Sequence, residues 1–254
     1  MNGVAASRID TLHPGASVRR EYFKLPRDLA ALTSSFGISL PVQVQRDAAV
    51  LTFSIECADR LLDAIPQVSR RAQFSASVVA CLRGDRGEGF FNDDLTPELA
   101  GWLAQLREVA ERRRVHGAFC EIVRELLANS EVMRTTPRHG GFIECAVREG
   151  RLMVELLLLI LADVSTPPFD CFMLRLSEPA NLGDKLRDAG RDFRRGEMAL
   201  RPTLTFRARL VYEILRRTFS LGILYAGHGR LLGWGIQSLF TELIWFRFSK
   251  SHSH

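Results

Sequence analysis

The stretch that decides the reading of this chain is Asn181-Leu-Gly-Asp184-Lys-Leu-Arg187-Asp188-Ala-Gly-Arg191-Asp192-Phe-Arg194-Arg195-Gly196. Carboxylates at 184, 188 and 192 recur every fourth residue, interleaved with basic side chains and closed by a glycine. On an α-helix a four-residue step advances about 6 Å and turns about 40°. The three aspartates therefore share one face on successive turns. Like charges so placed destabilise an isolated helix by about 0.2–0.5 kcal/mol per pair. A cation offsets that repulsion: Lys185, Arg187 or Arg191 of the same helix, or a divalent metal. The first gives a solvated, salt-bridged surface helix and the second a Mg2+-diphosphate site; the spacing leaves both open.

A second acidic pair, Cys57-Ala-Asp59-Arg60-Leu-Leu-Asp63, repeats the four-residue interval far upstream. Its lead-in, Ala48-Ala-Val-Leu-Thr-Phe-Ser-Ile-Glu-Cys57, reads as a largely buried helix. Magnesium takes hard oxygen ligands, with waters and substrate phosphates completing its octahedron. Two helices carrying acidic pairs meet that need. The plainer alternative is an ordinary acidic helix end, since Pro66 lies just beyond.

Three motifs now stand in order. Asp184 to Leu200 resembles the second aspartate-rich motif of squalene and phytoene synthases, Asp59-Arg60-Leu-Leu-Asp63 is similar to their first, and Ser34-Ser35-Phe36-Gly-Ile-Ser-Leu40-Pro41 looks like the segment that opens their catalytic domain. The chain thus resembles a divergent member of the squalene/phytoene synthase-like family, in the class I trans-isoprenoid synthase superfamily. The resemblance implies an all-α, single-domain bundle around a central apolar cavity, spanning 26–250 after an irregular segment at 1–25. It implies Mg2+ as cofactor and a prenyl diphosphate as substrate. Asp59, Asp63, Asp184, Asp188 and Asp192 become metal ligands, with Asp59, Asp63, Asp188 and Asp192 catalytic. Ser35, Phe36, Asn181, Arg187, Arg191 and Arg195 become substrate-binding residues. Ionisation of the allylic diphosphate gives a carbocation; coupling makes a prenyl transferase, and folding back makes a terpene cyclase.

The departures from the family pattern bear on that last choice. Position 60 is Arg where the family has an acidic residue, and position 184 is Asp where it has Asn. The family's tyrosine-rich run corresponds to Ile143-Glu-Cys145-Ala-Val-Arg-Glu149-Gly150, without tyrosine, and its Tyr-Leu-Pro becomes Ala199-Leu200-Arg201-Pro202. Loss of these tyrosines favours cyclisation over coupling. It also opens a reading of another class, a non-catalytic relative acting in assembly or binding.

Composition bounds the rest. The chain has 254 residues, 46% hydrophobic and 25% charged, enough for a deep core in one domain. Its formal charge of +5 and pI near 9.2 come chiefly from arginine. Runs such as Arg112-Arg113-Arg114 lack any accompanying nucleic-acid motif, so no nucleic-acid partner is expected. Five cysteines are widely spaced and odd in number, which fits neither structural zinc nor a disulfide framework. With no secretory h-region after Met1, the expected location is cytoplasmic. The apolar run Leu152–Asp163 is short and contains Glu155, the mark of a core helix rather than a membrane span. The aromatic stretch 228–248, with Trp234, Phe240, Trp245, Phe246 and Phe248, reads as a helix closing the core, or as a peripheral lipid contact. Oligomeric state is left open.

Periodicity predicts helices at about 26–34, 42–64, 68–83, 97–113, 116–130, 141–163, 169–175, 178–195 and 203–225. Thr96 is expected as an N-cap with Pro97 at the first helical position.

Overall fold

The computed structural model describes residues 24–85 and 95–225. Of the segment expected to be irregular at 1–25, residues 1–23 lie outside the described residues, as do the loop after Asp85 and the aromatic stretch at 228–248, while Lys24 and Leu25 already belong to the first helix. Within them the chain is all-α, with no strand: α1 (Lys24–Ser35), α2 (Val42–Asp63), α3 (Val68–Arg83), α4 (Pro97–Arg112), α5 (His116–Thr135), α6 (His139–Leu161), α7 (Pro167–Arg195) and α8 (Leu204–Leu224). No helix among the described residues is long and apolar enough to cross a membrane.

Local chemistry sets most of these boundaries. Thr96 caps α4 as expected, its side chain accepting from the Leu99 N–H with Pro97 next in line. Thr203 does the same for α8 through the Phe206 N–H. α7 ends where Gly196 adopts a left-handed φ of 74°. There the Glu197 N–H reaches back to the Asp192 carbonyl at 2.9 Å, closing the helix in a Schellman-type turn.

One expected break is absent. The helices anticipated at 169–175 and 178–195 form a single 29-residue α7 that carries Pro179 in its interior. Proline removes one backbone N–H and crowds the preceding turn, costing about 3 kcal/mol in an exposed helix. Burial on both sides of it offsets that cost: Phe172 and Met173 precede Pro179, Leu182 and Ala189 follow it, and all are buried.

The chain forms two compact units. The first comprises residues up to Glu131 together with Leu152–Pro167. In it α2 packs against α1, α3 and α4. Ala48, Ala49, Val50, Leu51 and Phe53 are all buried, so the middle of α2 is covered on every side, as its unbroken apolar run requires. The Phe53 and Trp102 rings lie 5.3 Å apart and tilted. Ser54 Oγ donates to the Val50 carbonyl at 2.7 Å, which satisfies a hydroxyl inside this core.

Asp47 is a buried charge in the same unit. Its carboxylate accepts from Arg112 at 2.6 Å, Arg113 at 2.8 Å and Gln43 at 2.9 Å. The arginine run that composition alone presents as a basic surface is therefore partly structural. Arg114, the next residue, takes a left-handed φ of 58° after the end of α4.

The second unit comprises Val132–Arg151 and the chain from Pro168 onward. Its core includes Phe142, Ala146, Leu182, Ala189, Phe206 and Leu210. Phe142 and Phe206 meet edge to face at 5.3 Å. Where α6 meets α7 the backbones approach closely at Gly150: a Cβ placed there would lie 2.7 Å from the Ser177 carbonyl oxygen and 2.9 Å from Asn181 Cβ. The Ala199 N–H donates to the Arg134 carbonyl at 2.9 Å and ties the segment after α7 to the end of α5.

Candidate functional site

The acidic stripe lies on α7 in the second unit, on one continuous helix. The same helix lays Leu182 and Ala189 into the core, with Leu186 packed against it. The periodicity that buries these three residues turns Asp184, Asp188 and Asp192 toward the rim. Asp184 is the open end of the stripe, its side chain 49% accessible against 17% at Asp188 and 20% at Asp192.

Same-helix arginines thread the stripe. Arg187 pairs with Asp184 and lies 3.5 Å from Asp188. Arg191 reaches Asp188 at 2.9 Å and Asp192 at 3.3 Å. Desolvation pushes the Asp192 carboxyl above the ordinary aspartate range, against the pull of Arg191. The Asp184 carboxyl is pushed the same way by desolvation, with Arg187 opposing.

Asn181 and Lys185, one turn earlier, are committed to helix packing. Asn181 Nδ2 donates to the Ala146 carbonyl at 2.6 Å and to Glu149 Oε2 at 2.9 Å. Lys185 Nζ lies 2.7 Å from the same Glu149 oxygen. These bonds fix α7 against α6 and so fix where the stripe stands. Glu178 adds a second polar tie, accepting from Arg151 of α6 and from Arg217 of α8, the latter at 2.9 Å. Sequence reading missed Glu149 and Glu178; the Glu213–Arg217 pair at helical spacing was the only local signal for that second cluster.

The other expected site residues are spread over the chain. Asp59 is exposed and Asp63 half-buried in the last turn of α2, in the first unit. Arg60 between them lies 3.7 Å from Glu98. Ser35 closes α1 with its hydroxyl donating to the Ala31 carbonyl at 3.1 Å, and Phe36 is half-buried in the turn that follows. Arg195 is exposed, 3.8 Å from Glu197.

Metal binding can be judged from the donors themselves. Carboxylates on successive helix turns are hard oxygen ligands of the kind Mg2+ takes. Burial, with the neighbouring Asp188 charge, raises the Asp192 carboxyl despite Arg191, so a further positive charge there would be favourable. Arg187 and Arg191 are 43% and 38% exposed, so both can swing away from the carboxylates. Among the described residues no three His, Cys, Asp or Glu side chains converge on one point as the side chains now stand.

Thiol chemistry is disfavoured at the Cys–His contact that the fold creates. His116 Nε2 lies 2.8 Å from the Leu82 carbonyl and so must donate its proton there. It cannot then act as base for Cys120, 3.6 Å away, whose thiol burial pushes up.

Comparison with protein-family models, curated proteins and solved structures finds no match to this chain.

Proposed function

We propose that the chain binds a prenyl diphosphate and ionises it with Mg2+, as a divergent squalene/phytoene synthase-like prenyl transferase or terpene cyclase. The observation that supports this reading is the stripe of Asp184, Asp188 and Asp192 on successive turns of one helix face, the last two largely withdrawn from water. Asp184, Asp188 and Asp192 would hold the metal, and the resemblance gives Asp59 and Asp63 a share in that task. Mg2+ would neutralise charge on the departing diphosphate. Arg187 and Arg191, displaced from the carboxylates, would turn their guanidinium forks to phosphate oxygens. In this reading the protein is cytoplasmic, with the aromatic stretch at 228–248 as a peripheral contact with a lipid surface.

A second reading has its own observation. Every stripe carboxylate already meets an arginine of the same helix, which a purely structural, salt-bridged face would also do. In that reading the chain is a non-catalytic relative acting in assembly or binding. The deciding experiment incubates the full chain with allylic diphosphates of increasing length, in Mg2+ and in EDTA, and measures diphosphate release. Mg2+-dependent release that is lost in Asp188→Asn supports the enzyme; no release from any chain length sinks it.

A further inference from the structure

Two guanidiniums of the second unit come together without a counter-charge. A Cβ placed at Gly190 of α7 would lie 3.2 Å from Arg207 Nη2 and 3.7 Å from Arg194 Nη1, so both head groups converge on one point of the helix. Arg207 reaches it from α8 and is half-buried, while Arg194 reaches it from the last turn of α7 and is exposed. Among the described residues neither side chain takes part in a hydrogen bond or an ion pair. The neighbouring arginines do: Arg187 and Arg191 pair with the acidic stripe, Arg195 lies 3.8 Å from Glu197, and Arg216 and Arg217 bind Glu213.

Every circumstance of Arg207 disfavours its charge. A second guanidinium shares its place over Gly190, and part of the side chain is withdrawn from water. It also stands in the first turn of α8, where the helix dipole favours an anion and no acidic residue is present. The dipole at the end of α7 accounts for Arg194 but not for Arg207. Glycine at 190 leaves open the space that a side chain would take between the two head groups.

We propose that Arg194 and Arg207 form a binding site for a terminal phosphate group, independent of metal and separate from the acidic stripe. Gly190 and Arg194 stand two residues beyond Asp188 and Asp192, about 200° around the helix, which places them on another face from those carboxylates. Guanidinium forks donate paired N–H bonds that match phosphate oxygens. Two of them answer the double charge of a phosphomonoester or of inorganic phosphate. A phosphodiester or a carboxylate, with a single charge, leaves half of the pair unanswered. The ligand is a soluble phosphate or diphosphate, or the phosphomonoester headgroup of a lipid.

The test titrates the full chain with inorganic phosphate and with pyrophosphate by calorimetry, in a chloride buffer containing EDTA. EDTA keeps Mg2+ from the acidic stripe, so this result and the Mg2+-dependent release assigned to the stripe stand or fall separately. The expected result is binding at one site per chain, weakened about tenfold or more in Arg194→Gln and in Arg207→Gln. Arg207→Lys, which keeps the charge and loses the fork, is expected to bind between Arg207→Gln and the parent. Arg216→Gln, which removes the same charge elsewhere on α8, is expected to bind as the parent does. Thermal melts guard against misfolding: without phosphate Arg207→Gln is expected to melt at or above the parent, and phosphate raises the melting temperature of the parent alone. Flotation with phosphatidylcholine vesicles carrying phosphatidic acid separates the sources. Recruitment that both Gln substitutions abolish assigns a lipid phosphomonoester, binding of phosphate or pyrophosphate without recruitment assigns a soluble ligand, and either upholds the site. Absence of binding at millimolar phosphate and pyrophosphate, binding that survives both Gln substitutions, or equal weakening in Arg216→Gln overturns the proposal.

Discussion

The close approach of α6 and α7 at Gly150 sets where the acidic stripe stands. In Gly150→Ala the new methyl would lie 2.7 Å from the Ser177 carbonyl oxygen and 2.9 Å from Asn181 Cβ. Ordinary contact begins near 3.4 Å, so α6 and α7 must separate by about half an ångström or more. The near neighbour is helix backbone, which cannot rotate away. Overpacking of this kind costs about 1–3 kcal/mol. Replacing glycine by alanine inside a helix returns about 1 kcal/mol through propensity. The net expectation is a loss of up to about 2 kcal/mol, read as a lowered urea midpoint. The control sits on α7 itself: at Gly183 a Cβ meets nothing within 4 Å, so Gly183→Ala should stabilise by up to about 1 kcal/mol. A Gly150→Ala chain as stable as Gly183→Ala would refute the close approach. The separation should also lengthen the Asn181 bonds to Ala146 and Glu149, so diphosphate release, where measured, should fall with stability.

Further expectations follow from the charges and the backbone. Burial raises the Asp192 carboxyl in the fold, so between the unfolded and the folded values the folded chain binds more protons than the unfolded one. Its favourable contribution is then fullest below the unfolded value, about pH 3.9, and is lost as pH rises through the folded one. Asp192→Asn should therefore be more stable than the parent at pH 7, with the gap closing toward pH 4; thermal melts across that range check it, and a variant less stable at pH 7 contradicts it. Asp47→Ala should cost about 1–3 kcal/mol, because it removes the carboxylate that Arg113 and Arg112 share and leaves Arg113 only the exposed Asp163 at 3.3 Å; chemical denaturation reads the loss. Arg114→Gly should raise the denaturation midpoint by about 1 kcal/mol of stability, since its left-handed φ of 58° suits glycine.

Much of the fold was legible because its signals are local. The α3 boundaries follow from periodicity, and the start of α4 follows from Thr96 and Pro97. Pro179 misled because a breaker's cost is local while its compensation is not: Phe172, Met173, Leu182 and Ala189 find their burial against other elements. Asp47 and Arg113 stand 66 residues apart, and no spacing rule joins them. The site shows the same division. The stripe's register could be read from its four-residue repeat. The tasks of Asn181 and Lys185 could not, because Glu149, which both engage, belongs to another helix.

The motif on α7 can be divided by what the fold asks of each residue. Leu182, Leu186 and Ala189 supply core, Asn181 and Lys185 brace α6, and Gly196 ends the helix. Packing thus accounts for these six, but not for the ladder of Asp184, Arg187, Asp188, Arg191 and Asp192. A helix needing only a solvated face gains about 0.2–0.5 kcal/mol from each spaced ion pair. Here two guanidiniums serve three carboxylates, two of them largely withdrawn from water. Burial, with the neighbouring Asp188 charge, raises the Asp192 carboxyl despite Arg191, so the charge there is held at a cost. A structural face would relieve that cost by exchanging Asp192 for a neutral residue, with no loss to the core. Retaining the third carboxylate makes physical sense when a cation or a cation-bearing ligand joins the ladder, and that is why stability and diphosphate release should move in opposite directions in Asp192→Asn.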